Sequence, residues 1–386
     1  MKRLIVCCDG TWNNADSKDA ETNVALMARA IHANPKDGPQ QIVLYLRGVG
    51  SSGLLAETLW EGATGYGLDE NIRSAYMFVA QNYVPGDELF VFGFSRGAFT
   101  ARSLVGFISA CGILKRQRLG DLVDAWDYYR NASNKPHSPQ AFMKLNSSDC
   151  HTDAKIKFLG VWDTVGSLGI PAQLLSTQNE SRFAFHDTGP CAIVEHACHA
   201  LAIDEHREQF VPTLWTGAAP QGVNIEQVWF AGAHADVGGG YVTRALADIP
   251  LVWMAKKAEG PDQRRLALDW SGLPDPAKLD PLAPAHDSRD GLFRIDRLRP
   301  TFREIAETPC EVSFYEMLYA PSQDGKLLPT INQALHSSVV TRLKQKAKCC
   351  KDDNLGKCED QIYEARNVAA LFDENNTFGG KPPVAD

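Results

Sequence analysis

The chain has 386 residues and a formal net charge of -8. Its composition, with 44% hydrophobic and 22% charged residues, is that of a globular protein with a sizeable core and excludes disordered and fibrous classes. The acidic balance argues against a nucleic-acid binder, because neutralising phosphates requires clustered Lys and Arg.

Five runs of β-branched and aromatic residues predict strands, and two periodic segments predict helices. The strands are at 3–8, 41–46, 88–93, 155–162 and 225–231, and the helices are at 71–82 and 98–109. The strands are almost continuously apolar, which favours a mainly parallel central sheet with helices on both faces. The sequence therefore predicts an α/β fold.

We predict one main domain over residues 1–345 and a C-terminal helical tail over 346–386. Two helical or loop insertions are expected in the main domain, at about 112–152 and 255–330. The apolar run that ends at Cys8 is too short for a signal peptide, so we expect a chain that is cytoplasmic as synthesised and whose secretion would need no cleaved signal. The ten cysteines are scattered, and we expect most to be buried thiols.

The segment Gly-Phe-Ser-Arg-Gly at 93–97 matches G-x-S-x-G between a predicted strand and a predicted helix. A serine on such a sharp turn takes up a strained backbone, and small flanking residues let strand and helix approach closely. Ser95 is therefore the candidate nucleophile of an α/β-hydrolase-like nucleophile elbow. The backbone N–H of Arg96 is a candidate oxyanion donor, and the loop after the first strand would supply the second from Gly10 or Thr11.

A serine nucleophile needs a base, and the base needs an orienting carboxylate. Asp163 follows the fourth predicted strand and is the candidate acid. His234 follows the fifth and is the candidate general base. An alternative pairs Asp236 with His336 in the same chain order.

Three other patterns suggest rival sites, and each lacks a required feature. Cys7 stands where a haloacid-dehalogenase-type phosphatase needs its nucleophilic aspartate. The G-x-G-x-x-G pattern at 48–53 lacks the following helix and the strand-end acid of a dinucleotide site. His196 and His199 are predicted on one helix within 195–207 without an evident third metal ligand. The sequence thus predicts no cofactor and no metal.

Several motifs occur together in a fixed order, and in combination they resemble one family. They are Cys-Asp-Gly-Thr-Trp-Asn at 8–13, Gly-Leu-Asp-Glu-Asn-Ile at 67–72, Gly-Phe-Ser-Arg-Gly-Ala at 93–98, Val-Trp-Asp-Thr-Val at 161–165, His-Ala-Leu-Ala-Ile-Asp-Glu at 199–205 and His-Ala-Asp-Val-Gly-Gly-Gly-Tyr at 234–241. Over about residues 3–345 the chain resembles the α/β-hydrolase domain family that includes the type VI secretion phospholipase effectors.

That resemblance implies a triad of Ser95, Asp163 and His234, and phospholipase or carboxylesterase activity on acyl esters. The expected partners are an acyl ester or phospholipid substrate and, transiently, a membrane surface. We therefore expect a serine hydrolase that works through an acyl-enzyme. Two alternatives stay open, a catalytically silent hydrolase-fold binding module and an acyltransferase.

Overall fold

A computed structural model of the protein describes residues 1–10, 20–48, 66–130, 138–146, 149–166, 191–207, 210–261, 265–289, 302–303, 305, 322–323, 326–327, 330–350, 358–369 and 384–386. The strands are β1 Arg3–Cys8, β2 Gln41–Leu46, β3 Glu88–Phe94, β4 Ile113–Leu114, β5 Cys150–His151, β6 Ile156–Trp162, β7 His196–Ala202, β8 Asn224–Phe230, β9 Ala285–His286, β10 Ser322–Gln323, β11 Lys326–Leu327, β12 Gln333–His336, β13 Lys346–Cys350, β14 Cys358–Ile362 and β15 Val384–Ala385. The α-helices are α1 Asn23–Ala30, α2 Tyr66–Asn82, α3 Arg96–Cys111, α4 Leu122–Arg130, α5 Pro139–Asn146, α6 His234–Gly238, α7 Asp248–Glu259, α8 Ser337–Arg342 and α9 Arg366–Ala369. Short 3-10 helices lie at Arg116–Asp121, Trp270–Gly272 and Pro276–Lys278.

Eight of the described strands form the central sheet in the order β15-β12-β8-β7-β6-β3-β1-β2, and every neighbouring pair is parallel. Parallel neighbours need crossover connections, and helices α1, α2 and α3 lie in those from β1 to β2, from β2 to β3 and from β3 to β6. The predicted α/β fold with a mainly parallel central sheet is confirmed.

Successive side chains of a strand point to opposite faces of the sheet, so each strand contributes to two buried clusters. Leu4 and Val6 of β1 pack in one cluster with Leu104 of α3. Ile5, between them, packs in the other cluster with Val24 of α1. Helices therefore cover both faces of the sheet, which explains why the strands are apolar at nearly every position.

The register of the central strands brings their carboxyl ends to one edge. Phe94 at the end of β3 pairs with Trp162 at the end of β6, and Trp162 also pairs with Ala200 of β7. Ser95 and Asp163 therefore follow two directly paired residues of neighbouring strands. Open parallel sheets bind their ligands at this edge.

The helix predicted over residues 195–207 is wrong. Residues 196–202 form strand β7, which is buried at all seven positions and pairs with β6 and β8. The three alanines in this segment favour a helix locally. Pairing on both sides and burial on both faces override that weak preference, and small side chains suit a strand covered in this way.

The described part of the predicted helical tail is mostly strand. β13 and β14 form an antiparallel hairpin, β13 also pairs with β9, and β15 lies beside β12 at the edge of the central sheet. In β13, Lys346 and Lys348 are exposed while Ala347 is buried, a period of two that fits a strand. The predicted tail is therefore wrong in its secondary structure, and the domain boundary near 345 stays a prediction.

Cys350 and Cys358 are paired across this hairpin and form a disulfide. These two cysteines are therefore a structural cross-link and not thiols. Five further cysteines in the described ranges are buried thiols, as expected, namely Cys7, Cys8, Cys111, Cys150 and Cys198.

Both predicted insertions are described in part. The region 112–152 contains α4, α5, the short β4–β5 pair and a 3-10 helix. The region 255–330 begins with the end of α7 and then holds two 3-10 helices, β9 and the antiparallel β10–β11 pair. Within the described ranges, no helix is long and apolar enough to cross a membrane.

Helix α3 comes close to the end of β1 at Gly97, and a substitution of this glycine tests that packing. A Cβ atom at Gly97 would lie 2.2 Å from the carbonyl oxygen of Cys8 and 2.5 Å from that of Asp9, both backbone atoms. We expect Gly97→Ala to lower the free energy of unfolding by about 2 kcal/mol or more, measured by urea unfolding. Gly120→Ala is the matched control, because a Cβ there meets nothing within 4 Å. An equal effect of both substitutions would contradict this packing.

Candidate active site

Ser95 lies in the sharp turn between β3 and α3. Its backbone has φ 57° and ψ -123°, a region that costs energy for a residue other than glycine. The turn is held because the Ser95 amide donates to the carbonyl of Trp162 at 3.0 Å, and the Ser95 carbonyl accepts from Ala98 and Phe99. These hydrogen bonds hold the strained backbone of Ser95 at the sheet edge, where the serine is largely buried.

The close approach of strand and helix around this turn depends on the two flanking glycines. A Cβ on Gly93 would lie 2.5 Å from the carbonyl oxygen of Gly97. These positions therefore have no room for a larger residue, which is the physical content of the G-x-S-x-G spacing.

Asp163 follows β6 and is fully buried. Its Oδ2 accepts from Nδ1 of His234 at 2.5 Å, and its Oδ1 accepts from the Ala202 amide at 3.0 Å. Both oxygens also accept from the Arg303 guanidinium, at 2.6 and 3.0 Å. Burial alone would raise the pKa of Asp163, but Arg303 and His234 outweigh it and hold that pKa well below its ordinary value.

His234 is the first residue of the short helix α6 and lies between two aromatic rings. The ring of Phe94 is 4.6 Å away and that of Phe210 is 5.0 Å away, centroid to centroid. Burial lowers the pKa of His234 while the Asp163 carboxylate opposes that shift. The imidazole is therefore kept neutral at neutral pH, with Nδ1 fixed by Asp163 and Nε2 left for proton exchange.

A second carboxylate, Glu205, supports the backbone of His234. Its Oε2 accepts from the His234 amide at 3.2 Å, and its two oxygens accept from the guanidinium of Arg207 at 2.9 and 2.8 Å. Ser288 donates to the same carboxylate at 2.8 Å. Although Glu205 is buried, Arg207 holds its pKa well below the ordinary value, so the carboxylate is charged.

The predicted oxyanion donors are only partly described. Arg96 is the first residue of α3, where backbone N–H groups have no partner within the helix. The Gly10 amide donates to its neighbour Asp9 at 2.7 Å, so this N–H is already engaged, which argues against the role predicted for Gly10. Thr11 lies outside the described residues, as does most of the glycine pattern at 48–53.

Asp9 is held by a network of its own beside the turn. Its Oδ2 accepts from Thr22 at 2.7 Å and also from the phenol of Tyr45. Burial nevertheless raises the pKa of Asp9. The Asp9 carboxyl therefore fixes the start of the loop after β1. A Cβ on Gly97 would clash with the backbone of this same segment.

The alternative pair, Asp236 and His336, is not brought together by a hydrogen bond in the described residues. Asp236 accepts from Nδ1 of His286 at 2.6 Å and from the amides of His286 and Ala233, both at 3.0 Å. His336 caps α8 and contacts Ser338 through Nδ1.

Of the two histidines considered as metal ligands from the sequence, His196 lies beside two further candidate ligands, Cys198 and Glu226. Glu226 Oε1 is 2.8 Å from Nε2 of His196, and Cys198 Sγ is 3.3 Å from the same nitrogen. Arg265 approaches Nδ1 of His196 at 3.4 Å, and a guanidinium only donates, so the imidazole proton belongs on Nε2. Lys257 also pairs with Glu226 at 2.7 Å. These contacts fit an ion-pair network, because a metal would have to displace the Nε2 proton beside two cations.

His199 fixes the backbone just beyond Asp163. Its Nε2 accepts from the Thr164 amide at 3.1 Å, and burial, reinforced by the charge of Arg102, lowers its pKa to about 3. In the unfolded chain a histidine titrates near its ordinary pKa of about 6.5. Because the unfolded state alone binds a proton between these values, this stabilising contribution is complete above about pH 6.5 and is lost as the pH falls toward 3.

We therefore expect His199→Gln, which keeps an acceptor for Thr164 but does not titrate, to weaken the pH dependence of stability. The loss in free energy of unfolding between pH 7 and pH 4.5 should be smaller than in the wild type by about 2 kcal/mol, as measured by urea unfolding. His32 is exposed, and His32→Gln serves as the control for replacing a histidine by glutamine. An unchanged slope in His199→Gln would contradict this assignment.

Three comparisons relate the chain to known proteins. A yeast protein, the uncharacterized protein YEL023C of Saccharomyces cerevisiae, is 30% identical over 237 residues, covering 56% of this chain and 33% of that protein. The chain thus spans about a third of the length of this curated relative. Among solved structures, an uncharacterized protein from Pseudomonas aeruginosa is similar with a TM-score of 0.41 and 17% identity, covering 72% of this chain and 48% of that one.

The Tle1 effector bound to the VgrG spike of the type 6 secretion system is similar with a TM-score of 0.35 and 19% identity, covering 62% of this chain and 51% of that one. The family model described as T6SS, phospholipase effector Tle1-like, catalytic domain, matches residues 2–257. This match covers more than half of the chain and includes Ser95, Asp163 and His234. The chain therefore belongs to the family of Tle1-like type VI secretion phospholipase effector catalytic domains.

Proposed function

We propose that the protein is a serine hydrolase that cleaves acyl esters of phospholipids, with Ser95 as nucleophile, His234 as general base and Asp163 as orienting acid. The observation that carries this proposal is the 2.5 Å contact between Asp163 and Nδ1 of His234 at the sheet edge where the strained turn places Ser95. The three residues occupy the ends of β3, β6 and the loop after β8, in the chain order typical of this fold.

In the first half of the reaction, Ser95 Oγ attacks the ester carbonyl carbon while His234 Nε2 takes the hydroxyl proton. Asp163 stabilises the resulting imidazolium without taking the proton itself. Collapse of the tetrahedral intermediate breaks the bond to the alcohol oxygen, and His234 gives its proton to that leaving group. The acyl chain is then bound to Ser95.

In the second half, water replaces the alcohol and is activated by the same imidazole. Its attack on the acyl carbonyl releases a fatty acid and regenerates the Ser95 hydroxyl. The backbone N–H of Arg96 is our proposed oxyanion donor in both halves, because the first turn of α3 directs its N–H groups toward developing negative charge. The alcohol released from a phospholipid is a lysophospholipid.

Two observations support a phospholipid substrate over a simple ester. The family is that of phospholipase effectors. The half-buried Arg96 carries a cation on the residue next to Ser95, and burial lowers its pKa only to about 10, so it stays charged at neutral pH. A cation beside the nucleophile complements a phosphate group. Membership of an effector family also supports export by a type VI secretion system.

Ser95 is the residue that we expect a fluorophosphonate probe to modify, because this reagent reacts with activated serines. Ser95→Ala should abolish labelling and lower fatty-acid release from phosphatidylcholine vesicles by at least about a thousandfold, while the melting temperature changes little. The measurement is labelling with mass spectrometry of the modified peptide, together with titration of released fatty acid.

Ser103 provides the matched control, since it is a buried serine of α3, the helix that begins directly after Ser95. Ser103→Ala should keep labelling and turnover. Absence of labelling in the folded wild type would contradict the hydrolase proposal and favour the binding-module alternative. Labelling with transfer of the acyl group to an added alcohol, and no fatty acid released, would favour the acyltransferase alternative.

The two candidate bases are separated by a pair of histidine substitutions. His234→Ala should lower kcat by about a thousandfold or more, because the serine then lacks a proton acceptor. His336→Ala should keep kcat within about threefold and lower stability by about 1 kcal/mol, since it removes the cap of α8. Esterase kinetics and urea unfolding measure the two effects, and loss of kcat only in His336→Ala would reverse the assignment.

A further inference from the structure

Arg303 makes every one of its described side-chain hydrogen bonds to the segments that form the candidate site. Nη1 donates to Asp163 Oδ1 at 2.6 Å and to the Ala202 carbonyl at 2.7 Å. Nη2 donates to Asp163 Oδ2 at 3.0 Å and to the Phe210 carbonyl at 2.6 Å. The guanidinium is buried, and it lies beyond the segment 2–257 that matches the family.

A bidentate guanidinium fixes the plane of a carboxylate as well as its position. Each oxygen of Asp163 is shared between Arg303 and one other donor, which is the Ala202 amide for Oδ1 and the His234 imidazole for Oδ2. The carboxylate therefore cannot rotate without breaking bonds on both sides. Because His234 Nδ1 donates to this fixed carboxylate, the orientation of the imidazole ring is fixed as well.

The charges around His234 nearly cancel when its ring is neutral. Asp163 and Glu205 are the carboxylates in contact with it, and Arg303 and Arg207 are their guanidinium partners. A positive charge near the pair opposes protonation of the imidazole, and a negative charge favours it. The charged or titratable groups that face the pair are Arg303, Glu205, Arg207 and His199, with Arg102 and Tyr241 next to these.

Resting on the function proposed above, we propose that Arg303 is a positioning residue for His234 that locks the Asp163 carboxylate in the plane of the imidazole and shares its charge. Because Arg303 shares the negative charge of Asp163, that carboxylate attracts a protonated His234 less strongly. The base stays neutral, and able to accept the Ser95 proton, at a lower pH than an Asp–His pair without the guanidinium would allow.

The proposal separates a charge effect from a geometric effect, and two substitutions test them. Arg303→Gln removes the cation, so the midpoint of His234 protonation should rise by about one pH unit. Arg303→Lys keeps the cation but cannot make the bidentate contact, so the midpoint should stay near the wild-type value. The fluorophosphonate labelling rate at its pH optimum should still fall about tenfold in Arg303→Lys, because the acceptor is no longer fixed.

Arg342 offers a matched control for loss of a buried arginine. Its guanidinium is buried, donates to the carbonyls of Pro281 and Ala283, and lies over the ring of Tyr363. Arg342→Gln should destabilise the fold without moving the His234 midpoint.

The midpoint is measured by NMR titration of the imidazole of the full chain, with His234 assigned by the signal lost in His234→Ala. A midpoint in Arg303→Gln within about 0.2 pH unit of the wild type, or an equal rise in Arg342→Gln, would overturn the proposal. If Arg303→Gln does not fold, Arg303→Lys decides, and an unchanged labelling rate overturns the positioning role. The titration needs no turnover, so it can succeed in a protein that is not a hydrolase. If the His234 midpoint rises in Arg303→Gln as expected but the probe labels no serine in the wild type, the result supports the positioning role of Arg303 and overturns the proposed function.

Discussion

The burial of the Asp163 carboxylate is the constraint on which the rest of the site depends. An isolated carboxylate without water would take up a proton, so its charge persists only if neighbouring donors replace the lost hydration. Ala202 supplies a backbone amide, Arg303 a guanidinium and His234 an imidazole. These donors come from the end of β7, from the chain near residue 303 and from the start of α6. One desolvated charge therefore requires three distant segments to converge at the sheet edge.

The sheet register explains why this charge lies beside Ser95. β3 and β6 are neighbours, and their last residues pair directly, so the residues that follow leave the sheet together. Both have positive φ, 57° for Ser95 and 38° for Asp163, and in both the strained backbone is held by an amide that donates to the adjacent strand. Strain of this kind persists only where the surrounding structure fixes it. Here the parallel sheet fixes it, so the sheet determines the geometry of the site more than the loops do.

The sequence predicted the parts of this arrangement that local patterns encode. β1 and β2 have the predicted bounds, and the strand and helix around Ser95 were expected because apolar runs and glycines mark them. β7 was mistaken for a helix, since its alanines carry no strand preference and only its two neighbours make it a strand. Arg303 carried no signal at all, because the carboxylate that it contacts lies 140 residues away in the chain. The pairing of His234 with Asp163 was expected from order along the chain, whereas the pairing of Asp236 with His286 was not.

These two Asp–His pairs have similar contact distances, 2.5 and 2.6 Å, and yet their surroundings differ in a way that bears on function. Asp236 also accepts from the amides of Ala233 and His286, so its carboxylate joins α6 to β9 and acts as a cap. Asp163 instead shares its charge with a guanidinium, which balances the carboxylate and still leaves the imidazole next to it able to gain and lose a proton. A cap needs only a fixed acceptor, whereas the general base that we propose needs a partner carboxylate whose charge is balanced. The pair of Asp236 and His286 therefore holds α6 in place, and α6 in turn carries His234, the partner of Asp163.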